Sequence, residues 1–215
     1  MLDRTIREIK KYSNKNIKIA FDEWNTYVEA TPPYFIENYN IADAIYAASL
    51  LNACINRGDI ITNTGIYHLI NVMGNYRIEK KKIWKTPTTL VLELYTKFHK
   101  GKILKSVVNS SNFVSFKLGK QPEYKNNKLI DSAVTMNGKH MCMSVVNKSS
   151  SEKILLKVPY LDRIAENYCI EGSNKVDLNT YENTSRVKIK KNSLKTSKGF
   201  LILPPHSISV VLFNI

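Results

Sequence analysis

Asp22, Glu23, Trp24 and Asn25 follow one another at the end of a short apolar segment, Lys18-Ile19-Ala20-Phe21. A carboxylate can move a proton or attack an electrophilic carbon. An indole offers an apolar face and one N–H, and an amide both donates and accepts. Together they suit a polyhydroxylated substrate, whose rings turn C–H faces to aromatics and hydroxyls to acids and amides. Tyr27 comes two residues after Asn25, and Tyr34, Phe35 and Tyr39 crowd the same connection, an aromatic density unusual for a strand-to-helix loop. Successive residues of a strand point to opposite faces, so one acid of the pair is expected to work and the other to be its structural neighbour. The plainer alternative is a solvated acid pair that ends a strand beside neighbouring Lys or Arg.

The other reactive residue types point away from redox and metal chemistry. Cys54, Cys142 and Cys169 are odd in number, far apart and without His at ligand spacing, so reduced thiols are expected, with no metal and no cofactor. His99, His140 and His206 are expected to be structural. The formal net charge of +14 would fit a phosphate binder, but the Lys and Arg residues are scattered. In Arg186-Val187-Lys188-Ile189-Lys190 they alternate with β-branched residues, as on a half-exposed strand. Neither nucleic acid nor a membrane is the expected partner. The first residues lack a signal-peptide core and nowhere is there a bilayer-length apolar run, so a cytoplasmic chain is expected.

The elements that position the acid pair belong to an α/β texture. An amphipathic helix is expected near 2–13 and a strand near 17–22. A helix over 41–56 has Ile41, Ala44, Ile45, Ala48, Leu51 and Ile55 on one face, with Asn40 as its N-cap and Gly58 just beyond its end. A strand over 60–64 completes a parallel βαβ unit, and the C-terminal ends of such strands are where barrel enzymes carry their catalytic groups. The segment 86–98 is expected to be one more helix, Pro87 being tolerated in its first turn. Beyond Gly101 the texture is all-β. Short runs at 104–108, 114–118, 132–136, 141–146, 154–158, 187–189 and 207–213 are punctuated by turn formers such as Asn137-Gly138, the pattern of an antiparallel β-sandwich.

Several tags in this order resemble glycoside hydrolase family 51, the α-L-arabinofuranosidases. They are Ile19-Ala20-Phe21-Asp22-Glu23-Trp24-Asn25, Asn40-Ile41-Ala42-Asp43-Ala44, Leu69-Ile70-Asn71-Val72-Met73, Thr86-Pro87-Thr88, Val145-Val146-Asn147 and the closing Leu203-Pro204-Pro205-His206-Ser207. The resemblance covers essentially the whole chain. It implies residues 1–76 as the last βα units of a (β/α)8 TIM barrel and residues 77–215, with a connecting helix, as the C-terminal sandwich. It also implies a retaining enzyme of L-arabinose metabolism that releases terminal α-L-arabinofuranosyl residues from arabinose-containing oligosaccharides, and relatives that are homo-oligomers. Glu23 matches the family's nucleophile, and Trp24, Asn25 and Tyr27 lie on its substrate side. His68 stands where relatives carry Gln before the Leu-Ile-Asn tag.

The family's second catalytic carboxylate follows an Asn, and no Glu upstream of Glu23 does so. The expectation is a chain inactive by itself, since two parallel strands cannot close a barrel: a split gene with a separately encoded N-terminal barrel fragment as its partner, a decayed gene or an incomplete gene model would each produce it. A non-catalytic carbohydrate-binding or assembly module is the alternative.

Overall fold

A computed structural model describes residues 2–26, 39–117 and 122–215. In chain order these form α1 (Leu2–Tyr12), β1 (Ile19–Trp24), α2 (Ile41–Ile55), β2 (Ile61–Ile66), β3 (Tyr76–Glu79), β4 (Lys82–Lys85) and α3 (Pro87–Phe98). There follow β5 (Lys102–Leu104), β6 (Asn112–Ser115), β7 (Tyr124–Lys128), β8 (Ile130–Asn137), β9 (His140–Asn147), β10 (Ile154–Leu156), β11 (Ile164–Ile170), β12 (Ile189–Lys191), β13 (Lys195–Ser197), β14 (Phe200–Leu203) and β15 (Ser207–Asn214).

The expected sandwich is present. A six-stranded antiparallel sheet, in the order β12-β11-β15-β9-β8-β5, packs on a three-stranded sheet, β10-β14-β13. Ile130, Met143, Val145, Val211 and Phe213 meet Leu201 and Leu203 between them. The large sheet is covered on its second face as well, by α2 and α3. Cys142, Val146, Ile208 and Val210 there pack with Ala44, Ala48, Val91 and Leu94. Burial on both faces is why β9 and β15 carry nearly unbroken apolar runs where a one-sided strand would alternate.

The β1-α2-β2 segment is the expected parallel unit. Among the described residues β1 and β2 pair only with each other, so no barrel is closed. On their helix side Ile19, Ile60 and Ile61 meet Cys54 and, from α1, Leu2 and Ile6. Asn40 caps α2 through a reciprocal box with Asp43. The first free N–H groups of that helix are taken up by distant carbonyls: Ile41 N–H donates to Asp177 and Ala42 N–H to Lys175, each at 3.0 Å. Sequences far apart thereby fix where α2 begins, and with it the span that follows the acid pair.

His99, just past the end of α3, gives the fold a pH dependence. Its Nδ1 lies 3.1 Å from the Thr135 hydroxyl, and its Nε2 is buried without a hydrogen-bond partner among the described residues. Burial drives its pKa down from 6.5 to about 4. The unfolded chain therefore takes the proton first as pH falls. Stability should drop between pH 6.5 and 4 by about 3 kcal/mol and then level off. Urea unfolding of His99→Asn across that window is expected to lack this component.

Candidate active site

The end of β1 is shaped by a bulge. Phe21 lies opposite Thr64 and Trp24 opposite Ile66, so β1 advances three residues while β2 advances two. Phe21 and Trp24 both pack on the core side, although in an unbroken strand residues three apart face opposite ways. Asp22 and Glu23, the extra span, are both exposed. The expectation that the two acids oppose each other across the strand is corrected by this geometry. Among the described residues neither carboxylate joins an ion pair.

Gly65 makes room for the bulge. A Cβ at that position would stand 3.1 Å from the Asp22 carbonyl oxygen. This is the close backbone approach that a glycine inside a strand often marks. Gly65→Val is expected to cost about 1–3 kcal/mol in urea unfolding, as overpacking does.

Trp24, expected to offer a stacking face, is a core residue. It is 5% exposed, its ring lies among the α2 and α3 side chains, and its indole N–H donates to Thr64 Oγ1 at 2.7 Å. Its carbonyl accepts from Tyr67 N–H at 3.0 Å, which locks the ends of the two parallel strands together. Asn25 extends the lock: its Nδ2–H donates to the Met73 carbonyl at 2.8 Å, and its Oδ1 accepts from Thr26 N–H. Trp24 and Asn25 thus hold the carboxylate end of β1 in place. Tyr27, with Tyr34 and Phe35, lies outside the described residues.

His68 is exposed two residues after Ile66, the register partner of Trp24, and so stands at the same end of the strand pair as Glu23. Its ring stacks on Tyr67 with centroids 4.0 Å apart. Its Nδ1 lies 2.9 Å from the Val72 carbonyl. A carbonyl only accepts, so Nδ1 carries the proton and Nε2 of the neutral ring is left as an acceptor. His68, Asn71 and Met73 all have φ between 52° and 58°, the left-handed region that costs non-glycine residues energy and recurs at functional loops.

This loop is clamped from behind. The Asn75 carbonyl accepts from Thr86 N–H at 3.0 Å and from the Thr89 hydroxyl, both at the first turn of α3, while Asn75 Nδ2–H donates to the His68 carbonyl at 3.3 Å. Thr64, Gly65, Asn75 and Thr89 are supporting residues that sequence reasoning passes over. Gly65 alone carries a usable signal, as a glycine inside a strand.

The three cysteines are free and buried, and burial pushes the Cys142 and Cys169 thiols up to about 12, which makes them poor nucleophiles. Among the described residues no group of His, Cys, Asp and Glu could hold a metal ion. No helix among them is long and apolar enough to cross a membrane.

Residues 22–207 match the family described as alpha-L-arabinofuranosidase C-terminal domain. The chain is 25% identical over 193 residues to the intracellular exo-alpha-(1->5)-L-arabinofuranosidase of Streptomyces lividans, an overlap of 81% of this chain and 28% of that protein. The GH51 alpha-L-arabinofuranosidase of Thermotoga petrophila RKU-1 shares its fold with a TM-score of 0.84 at 24% identity, over 99% of this chain and 48% of the other. The alpha-L-arabinofuranosidase of Thermotoga maritima, solved as an arabinose complex, gives 0.82 at 24% identity, over 99% and 45%. The chain therefore spans less than half the length of each of these relatives.

Proposed function

This chain belongs to the alpha-L-arabinofuranosidase C-terminal domain family, and on that premise we propose that it supplies the nucleophile-bearing, C-terminal part of a retaining glycoside hydrolase acting on α-L-arabinofuranosides. Residues 1–76 contribute the last βα units of a catalytic barrel, and residues 77–215 the sandwich that supports them. The observation that carries this reading is the exposure of Glu23 on the bulged end of β1, at the same end of the strand pair as His68.

In this mechanism the Glu23 carboxylate attacks the anomeric carbon. The glycosidic oxygen leaves with a proton from a second carboxylic acid, and water then opens the arabinosyl ester with that group acting as base. Nε2 of His68 accepts from a sugar hydroxyl. Trp24 and Asn25 keep Glu23 in position, and the family resemblance gives Tyr27 a substrate-binding role. The acid/base is not among the residues of this chain that match the family's motif, since the sequence has no Asn-Glu dipeptide. The earlier barrel strands, where the family carries its acid/base, supply it, and residues 1–215 by themselves are inactive. The word intracellular in the name of the Streptomyces lividans relative supports a cytoplasmic setting.

The test is reconstitution. The chain is mixed with a polypeptide carrying the first six βα units of a family relative, and release of p-nitrophenol from its α-L-arabinofuranoside is followed. Activity in the mixture and in neither component alone is the expected result. Activity of this chain alone would overturn the shared-site reading, and an inert mixture of two folded components would overturn the catalytic one.

A further inference from the structure

A groove of about 530 Å3 lies between the β3–β4 hairpin, the His68 loop and the segment 178–182. Its size falls within the about 300–1,000 Å3 typical of small-molecule sites. Its floor is aromatic. Tyr39 and Trp84 are 5% and 8% exposed, and Trp84 meets Tyr181 edge-on with centroids 6.3 Å apart. The Trp84 indole N–H is anchored on the Asn179 carbonyl at 3.0 Å.

The rim carries charge of both signs. Arg77, Glu79 and Glu182 line it, while Lys80 and Lys82 lie over the Tyr181 ring at 5.0 and 4.3 Å. Neither an anion nor a cation is singled out by such a rim. A neutral ligand with many hydroxyls can use its donors and acceptors alike, and a C–H face of that ligand can lie along Tyr181, the half-buried ring of the lining, which Trp84 backs edge-on. The groove also adjoins the candidate active site: Val72 lines it, and the carbonyl of the same residue holds the His68 imidazole at 2.9 Å.

We propose that this groove is a second glycan-binding subsite, taking neutral pentose units of the chain whose terminal residue sits at Glu23. The choice of a pentose ligand rests on the function proposed above. The groove itself is built from residues outside the catalytic set.

The sequence contains two tryptophans, and their indole N–H groups report on the two places separately. Trp24 reports on the end of β1 and Trp84 on the floor of the groove. Titration of the 15N-labelled full chain with α-(1→5)-linked arabinotriose is expected to shift the Trp84 indole signal. Glu23→Gln should leave that response intact, whereas Tyr181→Ala and Glu182→Ala should each weaken the apparent affinity about tenfold. A shift of the Trp24 signal alone would overturn the groove and leave the Glu23 site standing. Equal Trp84 responses to arabinotriose and cellotriose would overturn the pentose assignment, and no Trp84 shift in the folded chain would overturn the subsite. A Trp84 response beside an inert reconstituted mixture would keep the groove and remove the catalytic reading.

Discussion

Glu23→Ala in the reconstituted enzyme is expected to lower kcat by at least about a thousandfold, while Asp22→Ala leaves most of it. The two residues need a kinetic test because their surroundings are alike: both are exposed at the same bulge, and neither is paired among the described residues. Nucleophile and structural neighbour differ in what replaces them. With Glu23 shortened to a methyl, azide can enter the vacated space and attack the anomeric carbon from the same face, expelling the protonated leaving group. The arabinosyl azide then has the configuration opposite to that of the substrate, since only one displacement has taken place. Azide should therefore restore turnover to Glu23→Ala and leave Asp22→Ala unchanged. Loss of activity in Asp22→Ala, with Glu23→Ala unaffected, would reverse the assignment.

How far such a site can be read in advance depends on where its information lies. Helix α2 was legible because its signals are local. The apolar positions recur with helical period, and Asn40 and Asp43 close the capping box from within four residues. Asn137-Gly138 likewise announced the turn between β8 and β9. The β3–β4 hairpin turns instead at Lys80, with φ of 52° and no glycine, asparagine or proline to mark it. Strand β11 lies second from the edge of the large sheet, paired with β12 and β15, yet Glu166 and Asn167 break its apolar pattern where it leaves the core. The strand expected over 104–108 lies earlier, as β5 over Lys102–Leu104, and shares only Leu104 with that expectation, because the pairing with β8 ends there.

At the site itself, the acid pair, the indole and the amide were visible as residue types, but their directions were not. Alternation assigned Asp22 and Glu23 to opposite faces, and only the opposing strand, with Gly65 against the Asp22 carbonyl, reveals the extra residue. The same bulge sends Trp24 into the core, so an aromatic that looked like a substrate platform is an anchor. Register is a property of two strands together, and a pattern read along one of them cannot contain it.

Asn52→Ala is expected to destabilise the chain by about 4 kcal/mol, the largest loss of any single substitution considered, because it orphans several buried groups at once. Asn52 is 1% exposed on the face of α2 that meets the large sheet. Its Oδ1 accepts from the Tyr95 hydroxyl at 2.8 Å and the Ser144 hydroxyl at 2.5 Å, and its Nδ2–H donates to Asp131 at 2.6 Å. Asp131 is in turn paired with Lys148 at 2.7 Å. Burial already holds the Tyr95 phenol well above its ordinary range, so this hydroxyl must stay a donor and needs its acceptor. By contrast, Arg57→Ala removes the more exposed Asp3 pair and should cost at most about 1 kcal/mol. Asn52→Asp sharpens the case: a second carboxylate beside Asp131 is repelled and has its folded pKa raised, so this variant should recover stability as pH falls and lose it as pH rises. Urea unfolding followed by tryptophan fluorescence reads both claims. Trp24 lies in the core shared by α2, α3 and the large sheet, so the wild-type transition should be single. A separate early transition of Trp24, unchanged by Asn52→Ala, would show that this network does not couple the nucleophile strand to the sandwich.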